Sequence, residues 1–329
     1  MQKSKGRIKD IKAFNWIIND GRIVFVLIGI IAIVALLNKN FLSFNNLLNI
    51  SRQVAVIGIM SCGMTFVLIT GNIDLSVGSI LSLTGLVTLT IVKNFDAPLI
   101  AILVAIVIGL SCGLLNGFLI NRHNGSIGSS FIITFGTMTI IGAAALLSTN
   151  GHNVTTVQNE TYSTIGKSQI GMIPLPFLIL LVVAIILQLI LSKTTFGRNV
   201  SFTGANIVAA RMSGINVNFY RYGVFMISGL CASLAAIVMT ARVGSAATRA
   251  GAGFELDAIA AVVIGGVSLA GGSGKVWQTL IGALIMGVLA NAMLILNLTE
   301  FTQLIVKGVI IILAVFLSSF SKNKLEARE

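Results

Sequence analysis

The segment Gly71-Asn72-Ile73-Asp74-Leu75-Ser76-Val77-Gly78-Ser79 sets a carboxylate, an amide and two hydroxyls between two apolar runs. A charged side chain at membrane depth costs about 2.5–3.5 kcal/mol on insertion scales, so Asp74 needs a structural or functional reason to stay. Two roles stand open. Asp74 can cap the helix that follows, accepting from backbone amides a turn on, or it can line a translocation pathway with Asn72 and Ser76. Glu255 and Asp257 pose the same question at a later apolar run, where capping by Asp257 is the simpler reading. Gly71 and Gly78 permit a break and a close helix contact.

Other chemistry finds no support. Gly271-Gly272-Ser273-Gly274-Lys275 has the look of a phosphate-binding loop, but Leu269 stands where the first glycine must be and Val276 where Ser or Thr must follow the lysine. If ATP drives this protein, another chain hydrolyses it. His123 and His152 stand alone in connections, and no nucleophile elbow or metal-ligand spacing occurs. The three cysteines, Cys62, Cys112 and Cys231, sit inside apolar runs as small buried residues. Within the spans the main ionisable residues are Asp74 and Lys307, and the latter can snorkel to an interface. That scarcity argues against an ion-coupled carrier, which needs intramembrane carboxylates and proton relays.

These residues must be held by membrane helices. Of 329 residues, 56% are hydrophobic and only 10% charged, against roughly 25% charged in soluble domains. A crossing needs about 20 apolar residues. That template gives ten candidates, at 22–38, 52–70, 73–92, 98–120, 129–148, 174–192, 222–241, 257–272, 276–296 and 301–320. The expected fold is all-α and polytopic. A transmembrane domain covers 22–320, flanked by a cytoplasmic segment 1–21 and a tail 321–329. In the first of these, Ile8, Ile11, Phe14, Ile17 and Ile18 recur at helical spacing, as in a helix lying on the membrane surface.

The net charge of +12 sits in short segments between apolar runs, where it sets orientation rather than nucleic-acid binding. With the N-terminus inside, fifteen Lys and Arg fall in cytoplasmic segments and six outside, so both termini are expected in the cytoplasm. The long cytoplasmic connection 192–221 is a segment with a job. Within it, Ala205 to Met212 is helix-compatible, with Gly204 and Gly214 as breakers. Ile73-Asp74-Leu75 and Glu255-Leu256-Asp257 each precede a span, a weak sign of two five-span halves in opposite orientations.

Three blocks carry a family resemblance. Gly71 to Ser79 followed by Leu83-Thr84-Gly85 is one. Gly197-Arg198 followed by Ala209-Ala210-Arg211-Met212-Ser213-Gly214-Ile215-Asn216-Val217 is the second, and Phe254 to Val263 through Ser268 to Gly274 is the third. In this order they resemble the permeases of ribose-type ABC importers over about 41–317. The resemblance implies a homodimer in the lipid of the bacterial plasma (inner) membrane. It also implies an ABC ATPase subunit that binds ATP and Mg, and an extracytoplasmic sugar-binding protein. This chain itself would hold no cofactor and be no enzyme. The cytoplasmic connection would seat on the ATPase through Arg198, Gly204, Ala209, Ala210, Arg211, Ser213 and Gly214. Asn72 replaces an expected small residue, and Val200-Ser201-Phe202 and Asn206-Ile207-Val208 also depart from the family pattern. A nucleoside or autoinducer-2 is the nearest rival to a monosaccharide. A secondary carrier, or a receptor that moves nothing, is the rival of another class.

Overall fold

Two long helices form the centre of the bundle. The computed structural model describes residues 22–123, 126–155 and 159–326. The amphipathic pattern expected at 8–18 lies outside the described residues. The helices are α1 (Arg22–Leu37), α2 (Phe44–Ile69), α3 (Val77–Phe95), α4 (Pro98–Arg122), α5 (Ile127–Ser148), α6 (Glu160–Lys167) and α7 (Leu175–Lys193). They continue with α8 (Thr195–Ala205), α9 (Ile207–Met212), α10 (Val217–Val243), α11 (Phe254–Ile264), α12 (Val276–Ile295) and α13 (Glu300–Glu326). A two-residue hairpin, β1 (Gln169–Ile170) with β2 (Ile173–Pro174), joins α6 to α7.

The helices α2 and α10 are buried along most of their length and pack on each other. By contrast α4, α5 and α7 are apolar but mostly exposed, which is the surface lipid requires. Small residues set the close contacts, as is usual where lipid competes equally for apolar surface. Gly109 and Gly113 of α4 meet the backbone of α10 at Gly229 and Phe225. α2 also packs on α12, and α10 on α4.

The all-α polytopic class holds, while the described residues do not confirm the count of ten. Seven described helices, α2, α3, α4, α5, α7, α10 and α12, are long and apolar enough to cross a membrane. The first candidate corresponds to α1, which has 16 residues. The eighth, expected over 257–272, is an 11-residue helix that ends at Ile264, too short for a core of about 30 Å. The chain then turns at Gly266, Gly271 and Gly272, whose φ angles are 93°, 86° and 80°, conformations that glycine adopts without strain. The apolar residues within this turn had extended the run in the sequence.

The connection 192–221 also differs in detail. It holds two helices, α8 and α9, and the break falls at Asn206 rather than Gly204. Asn206 caps α9, its Oδ1 accepting from the amides of Val208 and Ala209 at 3.0 Å each. Of the connection that follows α5, α6 packs on α10. The Tyr162 hydroxyl is buried against Thr240 Oγ1 at 2.6 Å, and Val154 pairs with Ala246 as an isolated bridge.

Candidate functional site

Residues 70–76 run between α2 and α3; the amides of Thr70, Gly71 and Asn72 return to carbonyls in the last turn of α2, whereas those of Ile73 and Ser76 are satisfied by side chains. Asp74 gathers donors from three helices. Its Oδ1 accepts from the Ser76 amide at 3.0 Å and the Ser76 hydroxyl at 2.7 Å. The Asn116 amide of α4 approaches the same oxygen at 3.4 Å and donates to Ser76 Oγ at 2.7 Å. Ser228 of α10 donates to Asp74 Oδ2 at 2.9 Å. Asp74, Ser76, Asn116 and Ser228 are all buried. One carboxylate thereby ties the start of α3 to α4 and α10.

The site is deep. Asn116 lies about 9 Å from the end of α4, and Ser228 about 16 Å from the start of α10, at 1.5 Å per residue. Ile73 is held by α5, its amide donating to Ser130 Oγ at 3.2 Å and its carbonyl accepting from Thr134 Oγ1 at 3.3 Å. Asn72 is fully buried, and its amide donates to the carbonyl and hydroxyl of Thr70. Among the described residues the Asn72 and Asn116 amide oxygens have no partner.

Asp74 does not itself occupy the cap position of α3, which belongs to Ser76. Its bond to the Ser76 amide makes a short side-chain turn just before the helix.

A second junction lies at the start of α11. Gly253 is the N-cap of α11, and Glu255 Oε1 accepts from its amide at 3.1 Å. A Cβ on Gly78, in the first turn of α3, would overlap Glu255 and the Gly251 carbonyl. The Gly251 amide donates to Ser82 Oγ of α3 at 2.9 Å. Thus the N-terminal ends of α3 and α11 meet, each with a carboxylate beside it. Asp257, in the first turn of α11, is not brought to the Asp74 cluster and caps nothing. Its Oδ2 accepts from Lys307 of α13 at 2.7 Å.

The residues of the connection between α7 and α10 group separately. Arg198, Ala209, Arg211, Ser213 and Gly214 are exposed, whereas Ala210 is buried. They lie beside the exposed apolar side chains Phe202, Val208 and Met212, the last 86% exposed. Gly204 lies inside α8 against the end of α2, where a Cβ would overlap the Ile69 carbonyl oxygen. The same carbonyl accepts from the Gly272 amide at 2.8 Å. α8 is also fastened to α10: Asn199 donates to the Tyr220 hydroxyl at 2.6 Å, and Phe196 packs on the Tyr220 ring with centroids 5.5 Å apart.

Several of these residues carried no readable signal. Asn116 and Ser228 sit singly in apolar helices, and only their nearness to Asp74 gives them a role. Gln188 of α7 accepts from the Val276 amide at 2.8 Å and so caps α12 from another helix. Lys307 looked like an interfacial lysine, yet it has a buried carboxylate as partner.

Residues 46–315 match a family model described as "Branched-chain amino acid transport system / permease component". The ribose import permease of Escherichia coli K12 is 41% identical over 92% of this chain and 94% of the relative. That of Bacillus subtilis is 42% identical over 88% of this chain and 89% of the relative. The L-arabinose transport permease of E. coli is 33% identical over 88% of this chain and 87% of the relative. No solved structure matches. At this identity and coverage, the chain belongs to the permease family of ribose-type ABC importers.

Proposed function

We propose that the protein is the membrane-spanning subunit of an importer that moves a monosaccharide into the cell, driven by ATP hydrolysed on a partner ATPase. The exposed apolar tip of α8 and α9 carries this reading. Phe202, Val208 and Met212 stand out from a basic segment that is fastened by Tyr220 to α10 and by Gly204 to the end of α2. A tip of this kind suits a protein partner, and its anchors lead toward the Asp74 cluster. ATP-driven motion of the partner would rock α10 and α2, the two central helices, in alternating access.

The polar cluster supports a path for a neutral solute. Asp74 is held by neutral donors from α3, α4 and α10, and the Asn72 and Asn116 oxygens retain unused acceptor capacity. Such groups suit sugar hydroxyls better than an ion. Solute affinity would reside mainly in an extracytoplasmic binding protein, and two copies of the permease would form the membrane unit in the plasma (inner) membrane, termini in the cytoplasm. The relatives' names make ribose, allose and arabinose the solutes to try first. Vesicles holding the chain, its ATPase and its binding protein should take up one of these with ATP and ignore proton and sodium ionophores. Uptake without ATP, or none, would overturn the proposal.

A further inference from the structure

The short helix α11 joins two places that the transport cycle must connect. At its C-terminal end, the turn through Gly271 and Gly272 meets α8, where Gly204 and the Gly272 amide share the Ile69 carbonyl. At its N-terminal end, Gly251 and Glu255 lie against Gly78 in the first turn of α3, next to Asp74 and Ser76. Eleven residues make a rod of about 16 Å, flanked by glycines that permit a change of angle: Gly253 before it, Gly265 and Gly266 after it. It packs closely on α12, where a Cβ on Gly282 would overlap the Ala261 carbonyl. One charged tether reaches it from the side. Lys307 of α13, a quarter exposed, donates to the buried Asp257 at 2.7 Å, and Asp257 Oδ1 has no other partner among the described residues.

We infer that α11 is a lever between the ATPase-facing segment and the Asp74 junction, and that Lys307 is the positioning residue that sets its resting angle. The inference rests on the ATP-driven reading above. A half-helix held only by apolar packing would have many near-equivalent placements. An ion pair in a low-dielectric setting selects one and resists its loss, since parting leaves a buried carboxylate alone. α13 then acts as the fixed post from which α11 swings.

The test uses the reconstituted transporter with its ATPase and binding protein. Uptake is measured per ATP hydrolysed, because a merely structural defect lowers both together and leaves their ratio unchanged. The neutral pair Asp257→Asn with Lys307→Met removes the tether without stranding a charge, so it keeps the experiment usable should Lys307→Met alone fail to insert. The neutral pair should hydrolyse ATP while its uptake per ATP falls by about tenfold, within the usual range of coupling factors. The reversed pair, Asp257→Lys with Lys307→Asp, should recover most of the ratio. An unchanged ratio in the neutral pair would overturn the lever. No ATP-dependent uptake by the unaltered chain would instead sink the transport reading, and the lever with it.

Discussion

Asn46 in α2 and Asn291 in α12 face each other as a reciprocal amide pair, each donating to the other's carbonyl oxygen at 2.9 Å. The Asn46 amide also donates to the Phe41 carbonyl at 2.7 Å, and both residues are buried. Buried amides in a membrane helix bundle fix register, since a slip by one residue strands both. The pair locks α2 onto α12 near one end, and Thr65 with Thr279, hydroxyls 2.7 Å apart, does so again along the same seam.

Replacing either asparagine alone by leucine leaves the other amide buried without its partner. The expected cost is about 1–3 kcal/mol for each single variant. The double variant, with an apolar seam, should lose less than the two singles together. Thermal unfolding of the purified protein in detergent reads this directly. Additive losses would show that the two amides do not act as a pair.

Asp74 separates its geometric role from its charge. Asparagine at this position keeps an oxygen for Ser76 and Asn116, and the Ser228 hydroxyl can turn to accept from the new amide. Alanine leaves the Ser76 amide and hydroxyl and the Ser228 hydroxyl without their acceptor, while the Asn116 amide keeps Ser76 Oγ. Asp74→Ala should therefore lose stability by about 1–3 kcal/mol for each group left unpaired and buried, whereas Asp74→Asn should insert and unfold nearly as the parent does. If Asp74→Asn is as unstable as Asp74→Ala, the negative charge itself holds the junction together.

The importance of Asp74 was legible because a carboxylate between two apolar runs is costly wherever it lies. Its partners were not legible. Asn116 and Ser228 become neighbours of Asp74 only when α4 and α10 pack on α3, and neither differs in sequence from other isolated polar residues in spans. The same holds for Lys307 and Asp257, 50 positions apart in separate helices. Hydropathy also misled at the eighth candidate span. A sliding average counts Val267, Leu269 and Ala270 as membrane residues, whereas the backbone there turns at glycines with positive φ. At Asn206 the signal is present, since asparagine is a strong cap former, but the nearby Gly204 is the more conspicuous breaker in the sequence.

Gln188 tests whether a side chain from a neighbouring helix can serve as a cap in the membrane. Lys275 occupies the cap position of α12 but makes no side-chain bond to its amides, and Gln188 Oε1 takes the Val276 amide instead. Gln188→Leu preserves the apolar face of α7 and removes only the acceptor. A loss of about 0.5–2 kcal/mol is expected, as for other caps, again read by thermal unfolding. No change would mean that the end of α12 finds another acceptor.

The segment of α8 and α9 should divide into a surface that binds and a contact that transmits. Met212 and Val208 are exposed and touch none of the seams just described, so Met212→Glu with Val208→Glu should leave the permease folded. Charges in an apolar contact are poorly tolerated by a partner, and the ATPase should no longer co-purify with this variant. Gly204 faces inward, to the Ile69 carbonyl and the Gly272 amide. Gly204→Ala sets a methyl against main-chain atoms that cannot rotate away, so α8 must separate from the end of α2. The ATPase should still bind this variant, while uptake per ATP drops by roughly fivefold or more, as for a broken coupling contact. Co-purification and the uptake ratio, measured on both variants, distinguish the two roles. Loss of ATPase binding in Gly204→Ala would place Gly204 in the docking surface, and an unchanged ratio would show that force reaches the spans through Tyr220 and α10 instead.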